Sequence, residues 1–549
     1  MITSNSMHHL IATARRMFVT TWPSALVALA AWISIVVCLD PAGSYPSMPQ
    51  GPGLTIDEIF NVEQGVYLVE QTRALGWFNL VPGTSVEAYR PQNGYNPDHP
   101  PLGRYWLGVH HQLTWWIAPP YQPDGPFVTA CARTGSATAF ALTVWLVGAF
   151  VSFTLADQSL KHWAGLLASL ALVLMPRVYG HAHLAALETI TNLTCTAAVL
   201  AIAAWWSDPV PTRRAAIVAG VLMGLALLTK IQAILIPVPV IVWSLWRWRQ
   251  KAIVPLLLWG ATAFALFFAA WPYLWLDPAG HVLEYVGRTT HRATLHCFYF
   301  GTRYPDKSVP WHYPFVIFAA TVPAGLHILG LLEIRLQAAE AGFSAEVWRS
   351  RLLLACGLFP LIVFALPGVA VYDGERLFLT VFPLWAIFIG RGAACALEIT
   401  ARRFSLLTAK LGICALILFQ FSSNLLVHPF YLSYYNLAVG GVTGAEKLGL
   451  EMNYWGDAMT RSLLEEAVAE QRDGFTNVEI LPSLHQFQNG DLILQSPILR
   501  QRLTNPPVAS PVGTLRLAFR RRADLRDDEF LKYHHGKGVA GILAAYGKR

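Results

Sequence analysis

Charge is scarce in this chain. Of its 549 residues only 13% are Asp, Glu, Lys or Arg, about half of the roughly 25% found in soluble globular proteins. That shortage excludes a soluble multidomain enzyme, and a hydrophobic content of 54% excludes disorder. Cysteine is sparse as well. The seven cysteines are scattered, no CxxC occurs, and the chain beyond residue 428 has none. Neither a disulfide framework nor a zinc ribbon fits this pattern. A glycine-rich phosphate loop and an Asp-x-Asp metal motif are both missing, so nothing calls for a nucleotide, and no nucleic-acid partner is expected. Repeats, coiled-coil heptads and low-complexity tracts are absent too.

What remains is a succession of long apolar runs. A spanning helix needs about 20 largely apolar residues. Eleven runs qualify, at 22–39, 134–155, 162–180, 184–206, 215–229, 231–248, 252–275, 314–332, 352–371, 377–397 and 404–427. The first follows Arg15 and Arg16 and lacks a small-residue cleavage site, so it reads as a retained signal anchor. With the N-terminus inside, the inner loops collect Lys161, Arg213, Arg214, Arg247, Arg249, Lys251, Arg335, Arg349, Arg351, Arg402, Arg403 and Lys410. The short outer connections hold one cation each, Arg177, Lys230 and Arg376. This asymmetry is the positive-inside pattern. It predicts an all-α polytopic membrane protein over 1–427, set in a cell membrane with a cytoplasmic N-terminus. Residues 428–549 are expected to form a small α/β extracytoplasmic domain, with strands at Asn477–Leu481 and Thr514–Phe519 and an amphipathic helix at Ala458–Gln471. Loop 40–133 lies outside and contains an amphipathic helix at about 56–76.

That first outer loop concentrates the candidate chemistry. Thr55-Ile56-Asp57-Glu58 has the spacing of a capping box, which opens a helix by satisfying its free N–H groups. The same acidic pair, beside the membrane, is placed to supply a general base to a lipid-borne substrate. About 40 residues later comes Asn96-Pro97-Asp98-His99-Pro100-Pro101-Leu102-Gly103, a rigid extended turn on local grounds. Arg133 opens the second span, Gly224–Lys230 ends in Thr-Lys, and Glu375-Arg376-Leu377 precedes a late span with Pro383. His181, His183 and Glu188 lie between the third and fourth spans. On one helix His181 and Glu188 share a face and His183 does not, so they form a secondary polar site more readily than a three-ligand metal site. The aromatic residues Trp271, Tyr273 and Trp275 read as an interfacial belt, and Tyr431, Tyr434, Tyr435 and Tyr454–Asp457 either roof a site or pack the tail.

An Asp-Glu after the first span followed by His99-Pro100-Pro101-Leu102 resembles the protein O-mannosyltransferases and the bacterial aminoarabinose transferases. Arg133, the Thr229-Lys230 ending and Arg376 agree with this in order and spacing, although Leu377 stands where many members carry Tyr. The resemblance covers roughly residues 20–430 and implies a GT-C fold. It implies an inverting glycosyltransferase that takes a sugar from a polyprenyl-phosphate donor on the outer face of a bacterial inner membrane. The acceptor would be an envelope lipid, glycan or protein. Asp57 is then the expected base, with Glu58 positioning or assisting it; Lys230, Arg376 and His99 would hold the donor phosphate, and Arg133 would fix the carboxylates or bind the phosphate. No cofactor is required, and a divalent metal is possible without a motif to hold it. Because Lys230 and Arg376 are lone cations near lipid, they are expected to meet around an anionic partner. The rival reading is a transporter or flippase, against which the charges cluster at span ends rather than within the spans.

Overall fold

The computed structural model describes residues 4–39, 51–75, 85–117, 128–155, 161–206, 210–288, 294–339, 344–457, 460 and 465, together with strands at 477–481, 514–519, 530–537 and 540–547. The helical body comprises α1 (Ser4–Val36), α2 (Ile56–Leu75), α3 (Pro101–Thr114), α4 (Thr129–Thr154), α5 (Lys161–Val173), α6 (Leu187–Trp205) and α7 (Arg213–Leu227). It continues through α8 (Pro237–Trp248), α9 (Ile253–Ala269), α10 (Tyr313–Thr321), α11 (Ala324–Ala339), α12 (Ala345–Phe364), α13 (Val381–Arg403) and α14 (Leu406–Val427).

Among the described residues six helical segments are long and apolar enough to cross a membrane, or seven if the bent pair α10–α11 is one span. That count is lower than the eleven runs for physical reasons. Helices α5 and α7 have only 13 and 15 residues. The runs 231–248 and 252–275 fall in one 39-residue apolar stretch, Ile231–Ala269. This stretch is interrupted at Arg249, whose φ of 53° lies in the left-handed region that breaks a right-handed helix. The α10–α11 break of 111° comes at Val322, forced into extended backbone by Pro323. The side chain of Asn436 donates to the carbonyls of Ala319 and Val322, both at 2.7 Å, so the backbone groups freed by the break are satisfied.

Burial sorts the helices into centre and periphery. The apolar windows of α6 and α13 are 78% buried, whereas that of α14 is 11% buried and exposes Leu407, Leu411, Leu418, Phe419 and Leu425. A soluble protein does not present such a surface to water; lipid covers it. Beside the membrane helices, α2 and α3 pack at very close range. A Cβ on Gly65 would come within 2.5 Å of the Arg104 carbonyl oxygen, and one on Gly108 within 2.1 Å of the Gly65 oxygen. Only glycine allows this approach, which brings the start of α2 against the turn that precedes α3.

Two sheets complete the described structure. Strands β1 (His296–Tyr299) and β2 (Thr302–Pro305) form an antiparallel pair. In the tail, β3 (Asn477–Leu481), β4 (Thr514–Phe519), β5 (Phe530–Lys537) and β6 (Ala540–Gly547) make a four-stranded sheet of order β3-β4-β6-β5. The pair β3–β4 is parallel, with Asn477 opposite Thr514. The helix expected at Ala458–Gln471 lies outside the described residues except at positions 460 and 465. Residues 428–457 do not stand apart from the helical body. Arg177 donates through Nε to the Tyr434 carbonyl at 2.8 Å, and the Gly53 N–H reaches the Asp457 carbonyl at 2.5 Å.

Candidate active site

At the start of α2 the Glu58 carboxylate folds back to accept the Thr55 backbone N–H at 2.8 Å, as a capping box requires. Its other partners are distant in sequence. Arg133 donates to it through Nε at 2.7 Å and Nη2 at 2.8 Å, and the Ala185 N–H donates at 2.6 Å. Arg133 spends its remaining N–H groups on the carbonyls of Leu39, Pro52 and Gly53. Both side chains are fully buried. Glu58 and Arg133 therefore form a bidentate internal pair whose hydrogen-bonding capacity is used up, so neither has a group left for a substrate. The pair joins the start of α2 to the first turn of α4.

The neighbouring Asp57 points the other way. Its side chain is about one-third exposed and its carboxylate pairs with Nη2 of Arg376. Arg376 also donates through Nε to Glu188 at 2.7 Å and through Nη1 to Asp373 at 2.9 Å. Lys230 meets the same Glu188 Oε1. The structure thus brings Asp57, Glu188, Lys230 and Arg376 into one cluster, with two cations sharing a single carboxylate oxygen. Burial opposes the charge on Arg376, yet Asp57, Glu188 and Asp373 raise its pKa well above the usual guanidinium range. Three in-plane bonds leave one N–H on each terminal nitrogen without a bond to the described residues.

His99 lies at the edge of this cluster. Its Nδ1 is buried without a hydrogen-bond partner among the described residues. Burial, then the nearby Arg104 and Lys230, pull its pKa well below the ordinary histidine value, so the ring is neutral. His181 and His183 are placed differently. His181 accepts or donates at Nε2 to the Tyr454 hydroxyl at 3.2 Å and stands 3.5 Å from Glu375. His183 stacks on Tyr431 with ring centroids 5.0 Å apart and bonds the Tyr179 carbonyl. Of the secondary trio, only Glu188 enters the Arg376 cluster directly. Among the described residues no three His, Cys, Asp or Glu side chains gather as a metal-ligand set; the carboxylates here surround a guanidinium.

Sequence reasoning named Arg177, Glu375 and Tyr454 separately but did not join them into the layer beneath. Arg177 donates to Glu375 at 2.5 Å, and the Tyr454 hydroxyl donates to the same carboxylate at 3.1 Å. Burial favours the neutral acid at Glu375, but Arg177 outweighs it and holds the group below its ordinary range. Asp373 was missed. Its signal was present in the run Asp373-Gly374-Glu375-Arg376, which puts three charges in four residues of an otherwise charge-poor chain.

A cavity of about 450 Å³ lies between α7, α8 and α9, almost wholly apolar and lined by Met223, Leu227, Ile241, Leu245, Trp259 and Phe264. Of this lining, Leu227 is three residues before Lys230 in the chain.

Fold and site together define a polytopic membrane protein with a buried charge cluster at one end of its helical body and an apolar cavity between three of its helices. The resemblance to protein mannosyltransferases drawn from the motifs is matched by the family model of the dolichyl-phosphate-mannose-protein mannosyltransferases, which fits residues 66–283. That span contains His99, Arg133, Glu188 and Lys230, and leaves Asp57 and Arg376 outside it. Solved structures similar to this chain include ArnT from Cupriavidus metallidurans bound to undecaprenyl phosphate, 13% identical, covering 95% of this chain and 97% of that one with a TM-score of 0.47. Another is the archaeal oligosaccharyltransferase AglB from Archaeoglobus fulgidus, in complex with an inhibitory peptide and a dolichol-phosphate; it is 12% identical, with 89% of this chain and 65% of that one covered and a TM-score of 0.46. No curated protein sequence matches significantly.

Proposed function

We propose that this protein is an inverting membrane glycosyltransferase that takes a sugar from a polyprenyl-phosphate donor. The observation that carries the proposal is the meeting of Lys230 and Arg376 on Glu188, with Asp57 on the same arginine. The reaction needs three things. A carboxylate must take the acceptor's proton, cations must stabilise the phosphate as it leaves, and an apolar channel must hold the isoprenoid chain. Asp57, the Lys230–Arg376 pair and the cavity match these in turn.

In the free enzyme Asp57 is bound to Arg376. A donor phosphate competes for the same guanidinium, and when it takes Nη2 it releases the carboxylate. Asp57 then accepts the proton of an acceptor hydroxyl or amine as that atom bonds to the anomeric carbon. The bond from that carbon to the phosphate oxygen breaks, and polyprenyl phosphate departs carrying the electron pair. Neutral His99 contributes a donor or acceptor at the rim without adding charge. Glu58 and Arg133 hold the start of α2 in place and do not touch substrate.

We further assign eleven crossings, with the short helices α5 and α7 and the separate pieces α8 and α9 each traversing the bilayer. The N-terminus is then inside and the cluster faces outward. A reporter fused after Leu425 that is active only in the cytoplasm would overturn this orientation. The residues past 457 form the extracytoplasmic domain, whereas 428–457 belong to the catalytic body. The acceptor is an envelope lipid, glycan or protein. The deciding test is release of polyprenyl phosphate from polyprenyl-phosphate sugars, with mannose and aminoarabinose as the first two, by the purified protein in nanodiscs. Asp57→Asn serves as the control; turnover equal in both proteins would sink the proposal.

A further inference from the structure

We propose that Trp455 is a positioning residue that holds the Arg376 guanidinium in the orientation needed to receive the donor phosphate. The inference rests on the glycosyltransferase reading above and gives a specific role to one residue of the Tyr454–Asp457 stretch.

The Arg376 guanidinium carbon sits 4.3 Å from the centre of the Trp455 ring, so the indole covers one face of the group. The three carboxylates bond it edge-on, in its own plane. Once donor phosphate replaces Asp57, one of those in-plane restraints is gone, and the stacked ring remains to keep the plane from rotating. The ring itself is held firmly. Trp455 is only 2% exposed, and its neighbour Tyr454 ties into the Glu375–His181 layer through its hydroxyl. The turn around it is closed by the Gly456 N–H on Asn453 at 3.0 Å and by the Asn453 amide on Asp457 at 2.7 Å. The Asp457 carbonyl in turn accepts the N–H of Gly53, two residues before the Thr55 cap of α2. Segment 453–457 therefore touches both sides of the site: the Arg376 loop through Tyr454 and Trp455, and the loop that carries Asp57 through Asp457. Gly374 is fitted to this contact, since its φ of +61° suits glycine and an added Cβ would come within 2.9 Å of Tyr454 Cε1.

A desolvated cation–π contact of this kind is worth about 10- to 30-fold in an equilibrium constant. The probe is polyprenyl phosphate without its sugar, titrated onto the full chain in nanodiscs, followed by donor kinetics. Trp455→Leu should bind it about 10- to 30-fold more weakly and raise KM for the donor, with kcat at saturating donor within about threefold of wild type. Trp455→Phe keeps a ring and should stay within about threefold in both measurements. In an Arg376→Gln background the Trp455→Leu change should have no further effect, because the group it positions is gone. If Trp455→Leu does not give a monodisperse protein, Trp455→Met keeps apolar volume without a ring and is held to the same expectations. Failure of the wild type to bind polyprenyl phosphate would overturn the donor reading and this inference with it. Normal wild-type binding, with the non-aromatic variants equally tight or with full additivity in the Arg376→Gln background, would overturn this inference alone.

Discussion

Asp57 and Glu58 are adjacent carboxylates and should fail in opposite ways when neutralised. Glu58→Gln keeps the size of the side chain but removes the only carboxylate among the described residues that faces Arg133, which is fully buried. It also turns an NH2 toward donors that now reach oxygen: Arg133 at 2.7 and 2.8 Å, Ala185 N–H at 2.6 Å and Thr55 N–H at 2.8 Å. Breaking a buried ion pair by removing one partner costs about 3–5 kcal/mol. Total stabilities are on the order of 5–15 kcal/mol, so the loss is a large share of the whole. Glu58→Gln should therefore lower the thermal unfolding midpoint in detergent and reduce the monodisperse fraction. Asp57 is a third exposed and holds one bond to a cation that keeps two other carboxylates. A partly exposed pair contributes about 0–1 kcal/mol, so Asp57→Asn should unfold near the wild-type temperature. Its rate of sugar transfer should fall by about 10²–10⁴, the usual contribution of a positioned base. The assay is thermal unfolding and single-turnover transfer on the same preparations. An Asp57→Asn protein that loses stability but transfers normally, or a Glu58→Gln protein as stable as wild type, would refute the division of labour.

Replacing Lys230 or Arg376 with Gln should each weaken polyprenyl-phosphate binding, and Arg376→Gln more so because it touches three carboxylates; unchanged titrations for both would remove them from the donor site. His99 is held neutral in the fold by burial, so the unfolded chain takes up its proton first as pH falls. Stability should then decline below about pH 6.5, the ordinary histidine value, and His99→Asn should flatten that decline; parallel pH–stability curves for the two proteins would contradict it. Asp457 titrates in the opposite sense, because burial raises its pKa from 3.8 to about 6. The stability gained from its protonated form is complete below the unfolded value and lost as pH rises through about 6. Asp457→Asn should accordingly raise the unfolding midpoint at pH 8 more than at pH 4; an equal effect at both would place the charge elsewhere.

Much of the local structure was legible because its causes are local. Thr55 and Glu58 sit three residues apart, and their backbone contact is what that spacing implies. The alternation in Asn477–Leu481 and Thr514–Phe519 produced strands at those positions. The span count was less legible. Apolarity marks a run as lipid-compatible, but Arg249 and Pro323 break runs in ways that hydropathy does not register.

The site divides along the same physical line. A cation near lipid must have a partner, and that necessity can be read from one residue; it is why Lys230 and Arg376 were expected to meet. Which carboxylate joins them cannot be read in the same way. Glu188 lies 42 positions from Lys230 and 188 from Arg376, and nothing in the intervening sequence distinguishes it from other acids at span ends. The same limit made Glu58 a partner of the catalytic base. Its cap to Thr55 was visible, but the bond that consumes its second oxygen comes from Arg133, 75 positions away. Once that bond is placed, Glu58 has no free lone pair aimed at the cluster and Asp57 stands alone as its exposed carboxylate. The distinction between two adjacent acids is thus made by an arginine on another helix. In a chain this poor in charge, each buried charge must be matched, so locating the partner decides the role.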